Sequence, residues 1–96
     1  MEEKLMELVD AIDINAYELG INTYCIEEFS ENISIRRYDV ELVNIEVEND
    51  TLMFIDSNDD IFKCFLLSSV LDVDIMPEWY KIVFNNGGYL TLSPCK

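Results

Sequence analysis

Val43-Asn44-Ile45-Glu46-Val47-Glu48-Asn49-Asp50-Thr51-Leu52-Met53-Phe54 carries the clearest pattern in the chain. Apolar Val43, Ile45 and Val47 alternate with polar Asn44, Glu46 and Glu48, the period of two that marks a strand with one buried face. Asn49-Asp50 tolerates the left-handed backbone that a two-residue hairpin turn requires. Folding the run at that turn sets Val47 opposite Leu52 and Ile45 opposite Phe54, with Glu48 opposite Thr51 and Glu46 opposite Met53. The apolar faces agree on both strands, so burial and turn chemistry specify the same register.

Downstream, Asp56-Ser57-Asn58-Asp59-Asp60 reads as a second turn, followed by a strand from Ile61 to about Leu67. Ser69-x-x-Asp72 resembles a capping box, which predicts a short helical turn from Ser68 or Ser69 through Asp74, ended by Pro77. Tyr80–Phe84 and Tyr89–Ser93 flank Asn85-Asn86-Gly87-Gly88, with Asn86-Gly87 as a type I′ turn. Upstream, Ile33 and Ile35 alternate with polar residues, and Arg36–Asp39 either turns or continues that strand. Before Asn32 the period lengthens. Met1, Leu5, Leu8, Val9, Ile12, Ala16 and Leu19 fall within an arc of about 100° on a helix, with Glu3, Glu7, Asp10 and Glu18 opposite. Glu2 and Glu3 suit the positive end of the helix dipole, and Gly20 suits the position just past its end. Asp13–Asn15 leaves open a break into two pieces, and Asn22 or Thr23 is read as capping a second helix through Phe29, with Glu27, Glu28 and Glu31 outward. The expected fold is α+β, with one or two N-terminal helices packed on an antiparallel meander of about five strands. One domain covers 1–96, mainly helical over 1–31 and antiparallel strands and hairpins over 32–93.

A chain of 96 residues that is 50% hydrophobic has enough apolar surface to fold alone and is not of disordered type. The apolar run Cys64–Leu71 is too short to span a bilayer, and Met-Glu-Glu-Lys is the opposite of a basic signal-peptide start; a cytoplasmic location is expected. Cys25, Cys64 and Cys95 are odd in number and widely spaced, and the chain has no His. Reduced thiols in or near the core are expected, with neither a disulfide scaffold nor a zinc site. The formal charge is −14, from 20 acidic and 6 basic residues. Such a surface repels phosphate, so direct binding to nucleic acid or to an anionic membrane is not expected. Solubility alone is served by a net charge of about 2–8, so the excess points to a basic partner, divalent cations or a salty habitat.

Without His, the usual Ser-His-Asp and Cys-His machinery is excluded. Gly20, Gly87 and Gly88 are the only glycines, so there is no Gly-rich phosphate loop. Carboxylate pairs are to be expected by chance in so acidic a chain. No catalytic residue, cofactor or metal is assigned, and the chain is read as a non-enzyme. Asp56-x-Asn58-x-Asp60 imitates the opening of an EF-hand loop, but Ile61 stands where Gly is needed and Leu67 where Glu is needed. A hairpin turn with Asx hydrogen bonds is the better reading. The display of the acids is more informative. Glu46 and Glu48 lie about 6.8 Å apart along one strand face, a spacing comparable to adjacent phosphates. Asp50 extends the row, while Asp56, Asp59 and Asp60 form a second group and Asp72, Asp74 and Glu78 a third. Trp79 and Tyr80 are candidate aromatic anchors for a partner. Arg36-Arg37, the one basic pair, is read as neutralising nearby acids or blunting an exposed strand.

In size, charge and the acidic segments Val43–Asp50 and Asp56–Asp60, the chain resembles small acidic proteins of phages and mobile elements, especially anti-CRISPR proteins that mimic DNA. The resemblance covers the whole chain in character only, with no motif that assigns a residue role. It implies an inhibitor that docks on a basic nucleic-acid-binding protein, such as a Cas9-type nuclease at its Arg-lined duplex-reading site. If the chain is phage-encoded, its place is the host cytoplasm. Two alternatives stay open. An immunity protein against a basic toxin shares the same electrostatics, and a homo-oligomeric structural or regulatory module joined through a sheet edge needs no charged partner. The residues leave the oligomeric state open.

Overall fold

In a computed structural model that describes residues 2–95, α1 (Glu2–Leu19) is followed by seven strands. These are β1 (Thr23–Ser30), β2 (Ile33–Glu48), β3 (Thr51–Asp56), β4 (Ile61–Leu66), β5 (Val70–Ile75), β6 (Tyr80–Phe84) and β7 (Gly88–Pro94), with a 3-10 turn at Leu67–Ser69. The strands form one sheet in the order β4-β3-β2-β1-β7-β6-β5, and each neighbouring pair is antiparallel. The α+β class stands. The pattern is not a simple meander, because β7 returns to pair with β1.

Only Leu67–Ser69 separates β4 from β5, the two edges of this sheet. Three residues reach at most about 11 Å, so the sheet must curl until its edges approach. The Phe65 and Phe84 rings meet across that closure at 4.7 Å. Leu67 N–H donates to the Asp50 carbonyl at 2.8 Å, and Asn85 N–H to that of Ser69 at 2.9 Å. β2 serves both halves of the curl, pairing with β1 over Ile33–Glu41 and with β3 from Leu42 onward. Helix α1 packs against β2 and β5. Its Leu5, Leu8 and Ile12 join Tyr24, Ile26, Leu42, Ile45, Leu52, Phe54, Ile82, Leu90 and Leu92 in one core. At about 1.5–3 kcal/mol for each fully buried side chain, this shared burial outweighs any local propensity along the chain.

The β2–β3 register is the one read from the sequence: Ile45↔Phe54, Glu46↔Met53, Val47↔Leu52 and Glu48↔Thr51. Asn49 and Asp50 both take positive φ (50° and 61°), as a type I′ turn demands. Val43 departs from the alternation. A bulge between Leu42 and Asn44 turns Leu42 into the core and leaves Val43 half exposed. The helix runs unbroken through Asp13–Asn15 and ends at Gly20 (φ 65°), with Ile21 N–H donating to the Asn15 carbonyl at 2.8 Å. Leu19, expected on the buried stripe, is exposed. Met1, assigned to the same stripe, lies outside the described residues, as does the side chain of Glu2.

Two segments expected to be helical are strands. Residues Thr23–Ser30 form β1, where Tyr24 and Ile26 are fully buried and a helix would have turned one of them outward. Its turn into β2 is Glu31-Asn32, both at positive φ, a type I′ pair hidden by Glu in a position that favours Asn or Gly. The Ser69–Asp74 segment forms only the 3-10 turn before β5 begins at Val70. Ser69 Oγ donates back to the Leu66 carbonyl at 2.7 Å instead of capping forward, and Val70 and Val73 are buried. These two segments account for the strands beyond the expected number. In the last hairpin Gly87 alone is left-handed (φ 89°), and its N–H points to the Phe84 carbonyl. The loop is therefore a three-residue turn with a left-handed Gly, and Asn86 Oδ1 accepts from Gly88 N–H at 2.9 Å.

Candidate functional site

The carboxylates expected to form a binding surface fall in separate places on this frame. Glu46, Glu48 and Asp50 are exposed on β2 and its turn, the outward set complementary to buried Ile45. Asn44 Nδ2 donates to Glu46 Oε1 at 3.3 Å. The turn holding Asp56, Asp59 and Asp60 lies at the other end of β3, ~17 Å away for a six-residue strand. Asp56 there has a structural task, accepting from the N–H groups of Asn58 (2.9 Å) and Asp60 (3.1 Å) in an Asx turn. Asp72 is bound by Lys4 of α1 at 2.7 Å and by Val73 N–H. The lysine hydrogen bond, followed by that backbone bond, holds the Asp72 carboxyl below its ordinary range. Asp74 stands opposite Lys81 in the β5–β6 register. Glu78 and Trp79 are exposed in the β5–β6 turn. Tyr80 cannot serve as a surface anchor, because it is 5% exposed and belongs to the core.

The structure also brings together residues that are distant in sequence. Asp13 of α1 and Glu46 and Glu48 of β2 line one groove of about 400 Å³, together with Met6, Val9, Ile45 and Val47. Its lining mixes carboxylates from both elements with these apolar side chains. The helical period places Asp13 on the same side as Met6 and Val9, but nothing in a linear reading relates that side to Glu46. Among the described side chains only Asp72 and Glu28 have salt-bridge partners. The groove carboxylates therefore meet no cation among the described residues.

Compared with family models, curated proteins and solved structures, the chain finds no match. Its function has to be argued from the arrangement itself.

A second polar group was not legible in the sequence. Glu28 of β1 accepts from Lys63 Nζ of β4 at 2.9 Å, with both side chains about four-fifths buried (19% and 22% exposed). The second Glu28 oxygen and the Tyr38 hydroxyl are buried without hydrogen-bond partners. Burial, followed by the nearby Glu28 charge, pushes the Tyr38 phenol up to about 12, and the Arg36 guanidinium stacks 4.5 Å over its ring. Glu28 had been assigned outward on a helix, and Lys63 has no sequence signal tying it to β1. The three thiols are free; Cys64 is exposed and Cys25 and Cys95 are half-buried, so none belongs to the core. Among the described residues, no group of three or more Cys, Asp or Glu is placed to hold a metal ion. Likewise, no helix there is long and apolar enough to cross a membrane.

Proposed function

We propose that this chain is a non-enzymatic inhibitor that presents carboxylates in place of nucleic-acid phosphates to a basic nucleic-acid-binding protein, such as a CRISPR nuclease. The observation that carries the reading is the α1–β2 groove, which Asp13, Glu46 and Glu48 line without a salt-bridge partner from the described residues. Uncompensated carboxylates repel one another, a cost that a cationic partner removes on binding. They sit on paired backbone, so their spacing is set before the partner arrives and little ordering entropy is lost on docking. The apolar side chains of the lining suit the aliphatic stems of Lys and Arg, whose heads would reach the carboxylates.

Capture from host lysate at low salt, with elution by a salt gradient, identifies the partner. Displacement of a labelled duplex from that partner by the purified chain, weakening as salt rises, is the expected result. A partner that binds the duplex and this chain together overturns the reading. A captured toxin whose nucleic-acid site stays open favours the immunity protein instead.

A further inference from the structure

The structure holds a second cavity, of about 510 Å³, at the C-terminal end of α1 and away from the acidic groove. Leu19, Ile21, Pro77 and Pro94 give it apolar walls, and the half-exposed Trp79 indole stands among them. Its volume falls in the range of small-ligand sites, and its polar groups are few. Ser93 and Tyr80 also line it, while Glu78, Asn15 and the helix end beside it favour a positive charge. The last turn of α1 contains no basic residue and does contain Glu18, so the negative end of the helix dipole is not offset locally. Glu78 contributes a carboxylate to the lining. Asn15 spends its amide protons on the hydroxyls of Tyr24 and Tyr80, both at 2.9 Å. Among the described residues nothing donates to its Oδ1, which leaves an acceptor at the cavity wall.

We infer that this cavity is a receptor for an arginine side chain. The flat guanidinium stacks on an indole face better than an ammonium does, and its forked donors match a carboxylate and an amide oxygen at once. The apolar walls take the three-carbon stem. The inference rests on the proposed inhibitor reading only for the source of the arginine, the basic partner; the cavity's preference belongs to this chain alone. It adds a fixed anchor to a surface that otherwise acts through diffuse charge.

Trp79 is the only tryptophan, so its fluorescence reports directly on occupancy. The full chain is titrated with N-acetyl-arginine amide, N-acetyl-lysine amide and N-acetyl-leucine amide. Occupancy is also followed by the NMR signals of the Trp79 indole N–H and the Asn15 side-chain amide. Saturable millimolar binding of the arginine derivative, about tenfold tighter than the leucine one, is expected. Glu78→Gln, in an exposed turn, should weaken it about threefold or more, and Trp79→Leu, read at Asn15, at least as much. No saturation, equal binding of the leucine derivative, or tighter binding of the lysine derivative overturns the inference. Arginine binding by a chain whose partner does not compete with nucleic acid leaves this cavity standing and removes the parent reading. Undiminished competition by a chain that binds no arginine does the reverse.

Discussion

Replacing Lys63 by Met should cost this protein more than any surface charge change, because Lys63 is the cation that meets Glu28 across the curled sheet. Removing one partner from a fully buried ion pair costs about 3–5 kcal/mol, while exposed pairs contribute at most about 1 kcal/mol. With the two side chains 22% and 19% exposed, the loss should lie between, at about 2–3 kcal/mol. One Glu28 oxygen is already buried without a partner, and a hydrogen bond from the nearby Tyr38 hydroxyl would offset only part of the loss of a cation. For a chain of this size the melting temperature should fall by about 8–24 °C. The measurement is urea and thermal unfolding of Lys63→Met, Glu28→Gln and the double variant. The double variant should recover most of the loss, since neither charge is then stranded, with an unchanged urea slope. A single-variant loss below about 0.5 kcal/mol would refute the reasoning, because that is the scale of an ordinary surface site.

The Tyr38 phenol makes a prediction in alkali. Its pKa is raised from 10.0 to about 12 in the folded chain, so its stabilising contribution is complete below pH ~10 and is lost as pH climbs toward 12. Burial also raises the Tyr24 phenol, so absorbance titration should show a late component that Tyr38→Phe reduces by one phenol; an undiminished late amplitude in that variant contradicts the assignment. At the β1–β2 turn, Glu31 holds φ 52° without the tolerance of Asn or Gly. Glu31→Asn should therefore stabilise the fold by about 0.5–1 kcal/mol, raising the melting temperature by at least ~2 °C, and a fall would show that the turn is not strained.

The sequence was most legible where two independent signals agreed. For β2–β3, alternation and the Asn49-Asp50 turn imposed one register, and the structure has it. Where a single local signal stood alone, packing overrode it. Asn22 or Thr23 as a cap suggested a helix through Phe29, yet Tyr24 and Ile26 belong to a strand held between β2 and β7, where their burial outweighs tenths of a kcal/mol of propensity. Val43 was misplaced because a bulge leaves no mark in a two-residue alternation. For the site, the exposed row Glu46, Glu48 and Asp50 could be read, since a strand's faces follow from parity. The addition of Asp13 could not, because it depends on how α1 lies against β2. The Lys4 partner of Asp72 was hidden for the same reason: the two are 68 positions apart.

The carboxylate surface is tested most directly by association kinetics against the captured partner at low salt. Reversing Glu46, Glu48 and Asp50 to Lys takes the formal charge from −14 to about −8 while leaving the buried faces of β2 and β3 untouched. Reversing Glu3, Glu7 and Asp10 changes the charge equally on exposed positions of α1 that do not line the groove. The first variant should associate about tenfold more slowly or worse, with a smaller change in dissociation, and the second should stay within about twofold of the parent chain. Asp13→Lys alone should slow association while Asp10→Lys alone does not. Equal slowing by both triple variants would mean that only bulk charge matters, and no slowing by either would leave the groove without a role in binding.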